Sequence, residues 1–191
     1  MRKSLVEQMI SKTRQALATL AHDTHGVSAV EFALILPIMI TMYIGAVEFS
    51  HALTVDRRVT AVASAASDLV AQTEDVDANS LQDIFTAATS IMLPYSSTPI
   101  SIVLTSVEAD SDNDTTVGWS CAQNGTPHAV DSAYALPTGL TQPFSSVIVA
   151  EVSYAYQPPI GHYMTGGINM TETFYLRPRR SLTVAWNGAA C

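Results

Sequence analysis

The chain is short of positive charge. Nine Lys and Arg residues stand against seventeen Asp and Glu, for a formal net charge of −8. No Lys or Arg falls between Val59 and Leu176. That argues against a nucleic-acid partner, whose phosphates call for Lys and Arg. It also argues against tight contact of this stretch with anionic lipid headgroups. Cysteine is scarce too, with only Cys121 and the terminal Cys191. The five histidines, at 22, 25, 51, 128 and 162, form no pair with zinc-site spacing to those cysteines. Gly-x-Ser-x-Gly, a phosphate loop and a dinucleotide fingerprint are all missing. Internal repeats and low-complexity linkers are missing as well. Nothing in the sequence supports catalysis, and no cofactor is expected.

What the chain does have is one long apolar run. From Val27 to Phe49 only Glu31 and Glu48 carry charge. As a helix this run is about 35 Å long at roughly 1.5 Å per residue, enough for a bilayer core of about 30 Å. It reads as a membrane-spanning helix, residues 27–49. Glu31 is its oddity, because an ionisable group inside a membrane costs a few kcal/mol and normally finds a partner. One reading is a side chain snorkelling to the interface. The other pairs it with a positive group at the same depth, such as the α-amine that a cut after Gly26 would create on Val27. Pro37 removes the hydrogen bond to the Ala33 carbonyl and is expected to kink the helix.

The charges flanking the run are unequal. Residues 1–26 hold four basic and two acidic residues, and the rest holds five basic and fifteen acidic. By the positive-inside rule the N-terminus stays in the cytoplasm and residues 50–191 are exported. Arg57 and Arg58 oppose this weakly. Export permits a Cys121–Cys191 disulfide, which would close a loop worth about 4 kcal/mol in the chain-entropy model. Two free thiols, or one intermolecular bridge from the tail, are the alternatives.

The leader, 1–26, has a weak amphipathic pattern through Met9, Ile10, Leu17 and Leu20, consistent with a short surface helix. An ordinary signal peptide cut near Ser50-His51-Ala52 fits poorly, because both the leader and the apolar run are long for that role. Past Phe49 the helix continues, with Ala52, Val55, Val59, Val62, Ala66 and Leu69 on one face, giving about 45 residues in all. Ser80 predicts the N-cap of a second helix over 81–93, stopped by Pro94. The period then becomes two. Ile100, Ile102 and Leu104 predict one strand, and Ile148, Ala150, Val152, Tyr154 and Tyr156 another. Val117–Trp119 reads as a short strand. Phe174–Leu176 and Leu182, Val184 and Trp186 predict a closing hairpin around Arg177-Pro178-Arg179-Arg180. Residues 122–145 read as a long loop. The expected fold is α+β: a long N-terminal helix packed on a small antiparallel sheet, with a second helix.

Two clusters merit weighing. Asp110, Asp112 and Asp114 resemble the start of a calcium loop, but the sixth position is Thr115 and the twelfth Cys121, so a solvated hairpin turn is the better reading. Arg177, Arg179 and Arg180 are candidates for the acidic face of a partner, against the plainer reading of surface or intramolecular ion pairs.

Gly26 followed by Glu31 at the start of a membrane helix resembles the cleavage site of type IV prepilins. The stretch Gly-Val-Ser-Ala-Val-Glu-Phe-Ala-Leu-Ile-Leu-Pro (26–37) is most similar to the TadE/TadG-type pseudopilins of the tight-adherence (Tad, Flp) pilus. Val-Ser-Tyr-Ala-Tyr-Gln-Pro (152–158) and Leu-Arg-Pro-Arg (176–179) resemble that family's C-terminal half. The resemblance implies a membrane-embedded prepilin peptidase cutting between Gly26 and Val27, with Glu31 and the adjacent Phe32 serving processing and assembly. It implies other pilin or pseudopilin subunits and the pilus assembly machinery as partners. The protein would be a minor subunit of the bacterial inner membrane, its C-terminal domain periplasmic, that enters or primes a surface pilus. Val27 would carry the methylation common in that family. The first alternative is an uncleaved single-pass protein with a periplasmic partner-binding domain. Further alternatives are a membrane-anchored enzyme or metal-binding domain, and a soluble domain released after Ala52.

Overall fold

A computed structural model describes Lys12, Arg14, Thr19, residues 26–159, residues 166–188 and Cys191. The expected surface helix of the leader lies outside the described residues. The chain forms two compact units, Met1–Ala46 and Val47–Cys191.

Helix α1 runs Val27–Ala71, 45 residues as the periodicity predicts, with Pro37 inside it. In the first unit its side chains are almost all exposed; Leu34, Met42 and Tyr43 are each more than 70% accessible. Apolar side chains in such number are not stable against water. The helix is long and apolar enough to cross a membrane.

In the second unit, α1 presents Val55, Val59, Val62, Ala63, Ala66 and Val70 to the core. The apolar stripe drifts from the expected Leu69, which is 36% exposed, to Val70, which is fully buried. An α-helix turns 3.6 residues rather than 3.5, so a stripe extended over several turns moves round the cylinder. Ala63 and Ala66 keep the helix surface low and let the sheet approach it closely.

After β1 (Asp75–Val76) comes α2, Ala78–Ser90. Its N-cap is Asp77, not Ser80. The Asp77 carboxylate accepts the Ser80 N–H at 2.7 Å, and the Ser80 hydroxyl accepts the Asp77 N–H at 2.8 Å. This reciprocal capping box satisfies two otherwise orphaned donors, which is why the helix starts three residues earlier than expected. The Ser80 N–H, with its hydroxyl, holds the Asp77 carboxyl below its ordinary value. Leu81, Ile84, Phe85 and Ala88 face the core.

Arg58 on α1 fixes the far end of α2. Its guanidinium donates to the Ile91 carbonyl at 2.6 Å and the Leu93 carbonyl at 2.5 Å, and lies 5.6 Å from the Tyr95 ring centroid. Charge-assisted bonds to helix-end carbonyls are each worth roughly 1.5–3 kcal/mol. Arg58→Met keeps the stem and removes both bonds. We expect it to lower stability by about 2 kcal/mol, a fall in Tm of roughly 4–8 °C for a unit of this size. A thermal melt of the detergent-solubilised chain measures it, and an unchanged Tm would refute the bracing role.

The sheet has four antiparallel strands in the order β3-β2-β4-β5: β2 is Ile100–Ala109, β3 Thr115–Gln123, β4 Ser146–Tyr156 and β5 Ile168–Leu176. Ile100, Ile102, Leu104, Ile148, Ala150 and Val152 alternate onto the face under the helices, each burying apolar area worth up to about 3 kcal/mol. The expected short strand at 117–119 is nine residues long, extended by its pairing with β2.

The closing hairpin is not formed. β5 ends at Leu176, and the chain leaves the sheet to run over the core as a strap. Leu182 is 72% exposed, and Ala185–Trp186 (β6) pairs in parallel with β1, not with β5. The strap is held by Arg179 N–H on the Ala71 carbonyl, Ser146 N–H on Leu182, and Asn187 N–H on Val76. The turn-forming Arg177-Pro178-Arg179-Arg180 allows this as readily as a hairpin; only the tertiary acceptors decide.

The opposite sheet face is also covered. Val107, Val147 and Val149 pack against Tyr134, Leu136 and Leu140 of the long loop and against Tyr175. Gly125 lets the loop lie this close, since a Cβ there would sit 2.5 Å from the Ser101 hydroxyl.

Candidate functional site

Gly26 adjoins the start of α1 and is exposed; its carbonyl accepts the Val30 N–H at 3.1 Å, the first bond of the helix. A side chain at Gly26 would meet nothing within 4 Å. Val27 is 49% and Phe32 58% exposed, and Glu31 is exposed too. Residues four apart share a helix face, so Val27 and Glu31 stand one above the other. The arrangement presents a Gly–Val peptide bond at the mouth of a helix, followed one turn later by a carboxylate. Pro37 lies on the same helix, which continues through it.

The structure brings Cys121 and Cys191 together. Their Cα atoms are 5.5 Å apart across 70 residues of sequence, inside the span a disulfide requires. The three arginines are engaged within the chain. Arg177 donates to the Leu140 and Gly139 carbonyls at 2.8 and 3.1 Å, tying the long loop to the end of β5. Arg179 pairs with Asp68 on α1 at 2.5 Å. Arg180 lies 3.5 Å from Glu74, with both side chains more than 60% exposed. The aspartates do not converge on a cation. Asp110 Oδ1 accepts the N–H groups of Asp112 and Asp114, both at 2.9 Å, closing the β2–β3 turn. Among the described residues no group of three His, Cys, Asp or Glu side chains is placed to hold a metal ion.

One cluster escaped the sequence reading. His128 Nε2 lies 2.6 Å from Glu151 Oε2, and the Tyr134 hydroxyl donates to Glu151 Oε1 at 3.0 Å. The two rings meet edge to face at 5.1 Å. Burial, with the Glu151 charge, pushes the Tyr134 phenol well above its ordinary value, so it remains a donor. His128 and Tyr134 come from the loop and Glu151 from β4, a pairing across more than fifteen residues that no local spacing signals. The cluster pins the loop to the sheet.

Residues 26–68 match the family model described as TadE-like protein. No curated protein and no solved structure matches the chain. The matched segment opens at Gly26 and takes in most of α1. The match likens this segment, and not the domain after it, to TadE-like proteins, and the helix it covers is long and apolar enough to cross a membrane.

Proposed function

We infer that the chain is a minor pilin-like structural subunit, made as a prepilin and cut between Gly26 and Val27, that takes part in assembly or priming of a Tad-type adhesion pilus. The carrying observation is a coincidence of three boundaries. The family match starts at Gly26, α1 starts at Val27, and Gly26 stands exposed between leader and helix. A prepilin peptidase needs an accessible peptide bond at that place. In this reading 1–26 is a cytoplasmic leader, 27–49 spans the inner membrane once, and 50–191 is the periplasmic domain. Glu31 serves processing and assembly and meets the new amine of Val27. Cys121 and Cys191 form a disulfide in the oxidising compartment. Arg180, whose long ion pair stays in solvent, is the arginine best placed to meet another subunit's acidic face.

Intact mass of the membrane-extracted protein tests the cleavage, with and without the matching prepilin peptidase. Loss of 26 residues, dependent on the peptidase, is the expected result. Gly26→Ala should abolish it by at least 100-fold. Because an added Cβ touches nothing, the variant tests recognition and leaves the helix intact. Full-length mass under every condition would refute the prepilin reading and favour an uncleaved, anchored protein that binds a partner through its domain.

A further inference from the structure

The four-stranded sheet has two edges, β3 and β5, and they are treated differently. Along β3 the long loop runs alongside. Val117 N–H donates to the Ser132 carbonyl and Asp131 N–H to the Val117 carbonyl, both at 2.9 Å, and Tyr134 N–H to the Thr115 carbonyl at 3.1 Å. Among the described residues β5 pairs with β4 alone. Every second residue of β5 therefore points its N–H and C=O away from the sheet. Proteins blunt such edges with Lys, Pro, a bulge or a very short strand. β5 has nine residues, no Lys, Arg or Pro, and an unbroken register with β4. Thr171 and Thr173 on it are exposed.

The space beside this edge suits a strand. A groove of about 460 Å3 lies between Phe174 and Leu176 of β5 and Ala61, Ser64 and Ala65 of α1. The three small residues leave room for the side chains of an added strand. Glu172 is the one charge on β5. The Thr60 hydroxyl donates to its Oε2 at 3.3 Å, and among the described residues no Lys or Arg pairs with it. A second copy of the chain is a poor occupant. Glu172 is the middle residue of β5, so two such strands paired antiparallel in full register set Glu172 against Glu172. Like charges directly opposite destabilise a sheet, and opposite charges stabilise it. We propose that the free edge of β5 takes up an extended strand of a different protein. That strand carries Lys or Arg opposite Glu172, and apolar side chains two residues to either side, facing Met170 and Phe174. The inference stands on the second unit alone and does not need a cut at Gly26.

The full-length chain in detergent, offered the end-capped heptapeptide Thr-Val-Thr-Lys-Thr-Val-Thr, tests this. The peptide reads the same in both directions, so either strand orientation sets its Lys opposite Glu172. Amide hydrogen exchange, mapped by peptide mass, follows 168–176. Saturating peptide should slow exchange there about tenfold and leave 115–123 unchanged. The same peptide with Glu in place of Lys should bind about tenfold more weakly, and Glu172→Lys should reverse the preference. Lys is at home on an edge strand, so the variant keeps the sheet. Unchanged exchange in 168–176 with the Lys peptide would overturn the docking edge. Equal binding of the two peptides to the wild-type chain would overturn the assignment of a basic strand. Slow exchange in 168–176 without peptide, lost on dilution of the protein, would overturn the choice of a different protein and give the edge to a second copy.

Discussion

Replacing Cys121 and Cys191 together with alanine is expected to lower the stability of the second unit by about 4 kcal/mol, a fall in Tm of roughly 8–16 °C. The reasoning starts from the unfolded chain. A bond between these residues closes a loop of 70 residues, and the entropy such a loop loses is larger than that of any single turn. The folded state keeps other ties. The Trp119 indole N–H donates to the Val184 carbonyl at 2.8 Å, and Ala185 N–H donates to Glu74 at 3.1 Å. The strap therefore stays docked in the variant at low temperature. The Trp119 and Trp186 rings, with centroids 5.9 Å apart, report on this through near-ultraviolet circular dichroism. The expected pattern is an unchanged spectrum at 10 °C and an early melt, reproduced when the wild-type protein is treated with reductant. A Tm within 3 °C of wild type would mean that no bond constrains the unfolded chain. A spectrum already lost at 10 °C would mean that the bond positions the strap instead of merely shortening the unfolded ensemble.

What was legible in the sequence was whatever a period or a single residue decides. The apolar run, its length and its start after Gly26 read directly, because a helix of 3.6 residues per turn has no tertiary decision to make. The strands through Ile100–Leu104 and Ile148–Tyr156 read from alternation. Alternation also misled. In Val147-Ile148-Val149-Ala150 both faces are apolar, and attention to one face hid the other, which the long loop covers. Glycine and proline mark 122–145 as a long loop; its anchors Tyr134, Leu136 and Leu140 stand two and then four residues apart, so no one period announces the face they cover. The strap has the alternation of a hairpin strand without the pairing of one. Leu182, Val184 and Trp186 alternate, yet only Val184 is buried, and its place is set by acceptors from distant elements. Ser80 and Asp77 are both N-cap residue types, and only the reciprocal bonds between them decide for Asp77. At Gly26 and Glu31 every candidate residue reads from the sequence, and the structure adds exposure and the absence of any steric demand at Gly26.

On the proposed prepilin function, Glu31→Gln is expected to cut the amount of the chain recovered in sheared pili by about 30-fold, with its level in the cell membrane unchanged. Glutamine is a good helix former and Glu31 is exposed on α1, so the helix itself is indifferent to the exchange. What changes is the charge. In the proposed prepilin reading, a carboxylate at membrane depth costs a few kcal/mol, and the α-amine that cleavage would create on Val27 relieves it. Losing roughly 2 kcal/mol of that attraction is worth about 30-fold at 1.4 kcal/mol per tenfold. The amine exists only after the cut at Gly26, so the two residues should act as one unit. Gly26→Ala alone removes the partner and should lower incorporation at least as far. The double variant then tells the mechanisms apart, since residues sharing an interaction are not additive. If the carboxylate works through the new amine, Gly26→Ala with Glu31→Gln is no worse than Gly26→Ala by itself. If the losses multiply, Glu31 has a partner other than Val27, and the place to look is a neighbouring subunit's residue at the same depth.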